Sequence, residues 1–175
     1  ADGNRNTSDA PPFLGRFARE AVDTGADAVV VTGPHTLRGV EVYGGRPIYY
    51  SLGNVCFHED TIYRVPADPD RVTDDRVPDV RGEGAGDAAE SDGSHDADNW
   101  RSVVPVCEFD ADGGLSELTL YPVTLRPTAE APRRGTPALA TGDTAASILE
   151  AVERRSEPFG TRIQRDGNVG VVSLS

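Results

Sequence analysis

The sequence predicts an α/β fold with a mixed sheet, hairpins and few helices. Three observations carry that prediction. An amphipathic stretch at 12–24 runs through a glycine turn into the β-branched run "DAVVVT" (27–32), the pattern of an α/β unit. "VEVYGGRPIYYSL" (40–52) alternates around a Gly-Gly pair, as a hairpin does. "SVVPVCEF" (102–109), "DADGG" (110–114) and "LSELTLYPVTL" (115–125) repeat the hairpin pattern with longer strands.

Taken in order, "ADGNRNTSDA" (1–10) is polar. Asp9 is placed to cap a helix whose first turn accepts Pro11 and Pro12. Phe13, Phe17 and Ala21, flanked by Leu14 and Ala18, recur at helical spacing, and Gly25 suits a left-handed cap. The run 27–32 reads as a strand buried on both faces and therefore parallel. "TIYRV" (61–65) has the composition of a further short strand. Residues 126–140 are a proline-rich connector. Asp143 is placed to cap a helix with Ala145, Ile148, Leu149 and Val152 on its apolar face and Arg154 and Arg155 at its negative end. "VGVVSL" (169–174) is a last strand.

Composition breaks this order at 67–99. That stretch holds eleven acidic residues and three arginines, about two-thirds of the formal net charge of −12. It carries too little apolar surface to offset its ordering entropy, and it reads as a solvated, disordered insertion. The expected organisation is therefore 1–66, a helix, strand, loop and hairpin block; 67–99, the insertion; and 100–175, strands and a helix that complete the domain. "DGSHDAD" (92–98) has the residue types of a calcium loop, but its glycine is misplaced and no closing glutamate follows.

The chain contains no lysine, and all 17 basic residues are arginine. An acidic chain of this kind lacks the phosphate-neutralising patch that nucleic acid or an anionic membrane requires. The acidity fits either solvation in a high-salt, halophilic interior or a metal-binding or acidic linker region. Cys56 and Cys107 are far apart, do not make a disulfide framework, and read as small hydrophobes. No apolar run is long enough to span a membrane, so a cytoplasmic or membrane-peripheral location is expected. The chain starts at Ala1 and contains no methionine, and is expected to be trimmed or cut from something longer.

Residues 25–57, "GADAVVVTGPHTLRGVEVYGGRPIYYSLGNVCF", resemble a block of the CapA family, proteins of capsule and poly-γ-glutamate biosynthesis with a calcineurin-like metallophosphatase fold. The resemblance rests on Pro34, His35, Arg38, Gly39, Glu41, Tyr43, Pro47 and Ser51-Leu52-Gly53-Asn54. "RRSEPFGT" (154–161) and the final apolar strand resemble the family's C-terminal end. The resemblance implies the C-terminal part of a metallophosphatase sandwich, a divalent metal (manganese, zinc or iron), and an anionic polymer or phosphoester substrate. The family's earlier metal-binding segments, with Asp, Asn-His and His-x-Gly elements, have no counterpart here, which implies a missing N-terminal half as partner. Where the family has Gly-His before Gly-Pro-His, this chain has Val31-Thr32.

On this reading His35, leaving the carboxyl end of a strand in a Gly-Pro turn, is the metal-ligand candidate, because ligands bind beyond such strand ends. Asn54 and Glu41 join it as candidate catalytic residues, and Arg38, Glu41 and Ser51 as substrate-binding candidates. Each has a plainer alternative. His35 can be a turn histidine bonded to backbone, Arg38 and Glu41 an exposed ion pair on the hairpin, and Ser51 and Asn54 turn caps. A serine hydrolase is excluded, since "YSLGN" is not Gly-x-Ser-x-Gly. One histidine does not make a binuclear site, so a fragment that is inactive alone is expected, and a non-catalytic polymer-handling module or gene remnant is the alternative.

Overall fold

The computed structural model describes residues 9–56, 98–111, 113–130 and 133–174. The expected strand at 61–65, the calcium-like loop except Asp98, and the acidic segment except Asp98 and Asn99 lie outside the described residues.

Helix α1 (Pro12–Asp23) begins with Pro11 at the N-cap and Pro12 in its first turn. No side chain caps it, so the role expected of Asp9 falls to prolines whose fixed φ already suits the helix entry. Its end follows the expectation: Gly25 has φ +110, Gly25 N–H bonds Val22 O at 2.9 Å, and Ala26 N–H bonds Ala21 O at 3.0 Å. The buried face differs from the expected one. Ala18 is fully buried with Leu14 and Val22 beside it, whereas Phe13 and Phe17 stay 64% and 62% exposed.

Strand β1 (Val29–Val30) pairs in parallel with β3 (Arg46–Tyr49), and β2 (Val40–Tyr43) pairs antiparallel with β3, giving the order β1-β3-β2. The parallel expectation for β1 holds, but burial on both faces does not, since Val30 is 54% exposed. The β2–β3 turn is a primed two-residue turn, with φ +57 at Gly44 and +73 at Gly45.

The second sheet is antiparallel. β4 (Arg101–Phe109) and β5 (Leu115–Thr124) form the long expected hairpin, with a register shift at Glu108/Phe109. β5 continues to β8 (Val169–Val172), and β8 to β7 (Ile163–Asp166). A short β6 (Ala138–Leu139), inside the proline-rich connector, pairs with the end of β5. Helix α2 (Gly142–Ser156) lies on this sheet. Thr141 holds its N-cap position and Asp143 sits inside the first turn, not at the cap as expected.

The apolar face read for α2 is the buried one. Ala145, Ile148, Leu149 and Val152 meet Val103, Leu118, Leu120, Ile163 and Val172. Each of the larger aliphatic side chains contributes about 1.5–3 kcal/mol on burial, several times an exposed ion pair, so apolar contact holds the helix and polar groups only aim it. Leu37, Val40 and Tyr49 belong to the same core, which joins the two sheets. Bridges Leu37–Leu52 and Gly53–Ser102 carry backbone pairing across the junction.

The outer edge of β2 is closed by the segment after α2. Val40 N–H donates to Ser156 Oγ at 2.9 Å and Val42 N–H to Thr161 Oγ1 at 3.3 Å. Phe159 stacks on Tyr50 with ring centroids 4.7 Å apart. Gly39 makes this approach possible, because a Cβ there would collide with the Arg155 carbonyl. Thus "RRSEPFGT" is the piece that closes the first block's open strand. Among the described residues no helix is long and apolar enough to cross a membrane.

Candidate functional site

The Gly-Pro-His turn follows β1 directly. Val31 N–H donates to Tyr49 O at 2.9 Å, and the chain then leaves the sheet through Gly33, at φ +119, to Pro34 and His35. The Ser-Leu-Gly-Asn segment after β3 holds this turn from beneath. Ser51 Oγ donates to Pro34 O at 3.1 Å and accepts from Gly53 N–H at 3.3 Å. Arg38 N–H donates to Ser51 O at 2.9 Å. Gly53 takes φ +76 with the Arg101 carbonyl where a Cβ would stand, so only glycine lets β4 pass so close.

Asn54, buried, comes next. Its Oδ1 lies 2.9 Å from His35 Nδ1. Its Nδ2 donates to Asn99 O at 2.9 Å and to His35 O at 3.4 Å. Because both amide hydrogens face carbonyl oxygens, the amide orientation is determined and Oδ1 must accept at His35. The proton therefore sits on Nδ1, and the exposed ring offers the lone pair of Nε2 outward. A side-chain oxygen that fixes the tautomer while the other nitrogen is left available is the arrangement of a ligating histidine.

The segment completing the site enters from Asp98. Arg155, from the last turn of α2, donates from Nη1 to Leu37 O and from Nη2 to Asp98 Oδ2, each at 2.6 Å. Both charged groups of that pair are largely buried, at 12% and 14% exposure. Asn99 Oδ1 is buried with no hydrogen-bond partner among the described residues, an orphan acceptor one residue from Trp100. Neither Asn99 nor Arg155 was among the candidates read from the sequence. The signals for Arg155 were its place in "RRSEPFGT" and at the negative end of the helix.

The other candidates lie apart from the imidazole. Glu41 is 3% exposed on β2. Its Oε1 accepts from Arg19 Nε at 2.8 Å and pairs with Nη2 at 2.8 Å, and its Oε2 accepts from Tyr50 Oη at 2.6 Å. The pairing pushes the Arg19 guanidinium up, and burial, then the bond to Glu41, push the Tyr50 phenol well up. Arg38 is 4% exposed, and loss of hydration pulls its guanidinium down against the opposing charge of Asp9. The exposed Arg38–Glu41 ion pair considered above is therefore corrected: both are buried, and Glu41 pairs with Arg19. Thr32 is exposed beside the turn.

Among the described residues no group of three or more His, Cys, Asp or Glu side chains is placed to hold a metal ion. His35 thus fits one coordination position of a metal site and does not complete one.

Residues 2–59 match the family model described as bacterial capsule synthesis protein PGA_cap. Two uncharacterized proteins of Sinorhizobium fredii, y4sH and y4uA, are each 41% identical over 181 residues, covering 97% of this chain and 39% of their own length. The PGA biosynthesis protein CapA of Bacillus subtilis is 48% identical over 44 residues, 25% of this chain and 12% of its own. The chain spans about two-fifths of the length of the first two relatives. These matches bear out the resemblance read from residues 25–57.

Proposed function

We infer that this chain, a member of the CapA family of bacterial capsule synthesis proteins, supplies one wall of a divalent-metal site in a protein that makes or processes an anionic capsule polymer. Poly-γ-glutamate is the polymer that the name of the Bacillus subtilis relative suggests. The observation that carries the reading is the 2.9 Å bond between Asn54 Oδ1 and His35 Nδ1, which leaves Nε2 as a lone-pair donor in an exposed turn.

A bound manganese, zinc or iron ion would supply Lewis acidity toward a phosphoester or similar linkage. The chain's own residues do the positioning. Asn54 fixes the His35 tautomer, Ser51 fixes the Pro34 carbonyl and so the turn, and Arg155 ties the turn's exit to Asp98. The remaining ligands of a metallophosphatase-like site would have to come from outside the described residues, and a segment matching the part of the longer relatives that this chain does not span is the proposed source.

A second reading, a polymer-handling module without catalysis, is favoured by Thr32, whose hydroxyl is a far poorer ligand than the imidazole of the family pattern. Calorimetric titration of residues 1–175 with zinc and manganese separates the two. Weak binding that disappears in His35→Ala and tightens in Thr32→His supports the metal reading. Binding that is the same in the parent chain and His35→Ala overturns it.

A further inference from the structure

We propose that the cleft between the start of β4, the end of β5 and the N-terminus of α2 binds a run of carboxylates on an acidic polymer. The identity of the polymer rests on the capsule reading above; the anion site stands on its own geometry. The cleft has a volume of about 920 Å³, and Trp100, Arg101, Arg126, Arg134 and Thr141 are among its lining residues. Among the described residues, three arginines and no carboxylate line it, in a chain with 29 acidic and 17 basic residues. Ion pairs at Arg19–Glu41, Arg46–Asp27 and Arg155–Asp98 lie elsewhere. Three like charges gathered around one cavity repel each other unless an anion enters.

Three further features point to a ligand. Arg126 is the one non-glycine among the described residues with positive φ, at +52, a conformation that carries a steric cost and here sets an arginine at the cleft wall. Arg134 lies over the Trp100 ring, 5.1 Å from its centroid, so its guanidinium is held against the wall. Thr141, which lines the cleft, occupies the N-cap of α2 with a hydroxyl that caps nothing, while the first helical amide, at Gly142, is taken by Asn168 Oδ1 at 2.9 Å.

The size and the character of the lining select the ligand. The volume suits several units of a chain, far more than one phosphate. Guanidinium groups bind carboxylates in paired, planar contacts, and Pro127 with the exposed Leu139 suits an aliphatic backbone between them. The cleft also adjoins the histidine site. Asn99, whose carbonyl Asn54 binds, is followed directly by Trp100 and Arg101, so about 7 Å of backbone separates the residue that anchors Asn54 from the first cleft arginine. A polymer seated on the arginines would be delivered to the His35 turn.

Trp100 is the only tryptophan, so its fluorescence reports on the cleft. Residues 1–175 are titrated with a short γ-linked glutamate oligomer, with inorganic polyphosphate and with neutral dextran. The expected result is a saturable change with the glutamate oligomer that weakens with salt and is absent with dextran. Arg126→Gly should weaken binding about tenfold while melting no lower than the parent, because glycine accepts positive φ. Arg101→Gln should weaken it similarly. His35→Ala should lose metal and keep oligomer binding, so failure of the metal site and failure of the cleft are read separately. No saturable change with the oligomer, equal or tighter binding of polyphosphate, or unchanged affinity in both arginine variants overturns the proposal.

Discussion

Asn54 and His35 are joined twice, Oδ1 to the ring Nδ1 at 2.9 Å and Nδ2 to the backbone carbonyl at 3.4 Å. One side chain therefore sets both the protonation pattern of the imidazole and the path of the turn that carries it. Asn54→Ala removes both contacts and also strands the Asn99 carbonyl. It should lower stability by about 1–3 kcal/mol and weaken any zinc binding by about 10–100-fold. Asn54→Asp keeps an acceptor at Nδ1 but loses the two amide donors. It should retain more of the metal affinity than the alanine variant at a similar cost in melting temperature. Paired calorimetric and thermal titrations check this; equal metal affinity in all three chains contradicts it.

Glu41 is expected to act on stability. Glu41→Gln keeps an acceptor for Tyr50 Oη and removes the charge that meets Arg19, whose side chain is 45% exposed. The loss should be about 1 kcal/mol, because the half-exposed arginine is screened. Glu41→Ala also leaves the buried Tyr50 hydroxyl without its acceptor and should cost about 2–4 kcal/mol. Urea melts measure both. Metal and oligomer titrations should be unchanged, and a selective loss of either would place Glu41 in the site.

Gly39→Ala tests the closure of β2. The new methyl meets the Arg155 carbonyl and lies 3.0 Å from the Phe159 ring. Backbone cannot rotate aside as a flexible side chain can, so the end of α2 must move. Destabilisation of about 3 kcal/mol or more is expected, with loss of Tyr50–Phe159 stacking in the near-ultraviolet circular dichroism. A melting temperature within a degree or two of the parent would contradict the packing.

Alkaline pH should unfold the chain through its tyrosines. Burial raises the Tyr49 phenol, with the Cys107 contact adding to it, and burial with the Glu41 bond raises Tyr50. In the unfolded chain both ionise near pH 10. Above that pH the unfolded state binds fewer protons than the folded one, so stability is full below about pH 10 and falls as pH rises further. Phenolate absorbance should therefore show two tyrosines that ionise late and together with loss of helical circular dichroism. Early, independent ionisation of all five tyrosines would contradict the burial of Tyr49 and Tyr50.

The hairpins were legible because strand alternation and Gly-Gly both point the same way. The face of α1 was not. Phe13 and Phe17 form one apolar stripe, Leu14 and Ala18 its neighbour, and hydrophobicity does not say which meets the sheet. The small Ala18 wins because Ile48 and Tyr50 fill the space opposite. The short β6 and the largely polar β7 lack a periodic signal and exist through pairing with β5 and β8. Arg38 and Glu41 looked like a pair at three residues' spacing, but an odd spacing along extended backbone sends side chains to opposite faces. The histidine site was legible as residue types. Its bond from Asn54, and its bracing by Arg155 across 118 positions, needed the tertiary fold.

The hydroxyls that cover the edge of β2 also set a timetable. Ser156 lies 116 residues after the Val40 amide it receives. At a synthesis rate of about 5–20 residues per second, the first sheet waits on the order of ten seconds for its cover. During that interval β2 presents bare amide groups, and release of the 154–161 stretch ends the exposure. The interval between synthesis of β2 and synthesis of 154–161 is thus the vulnerable one, and a nascent chain arrested before Arg154 should be cut by protease near β2 where the finished chain resists. Equal resistance in the arrested chain would show that something else shields the strand first.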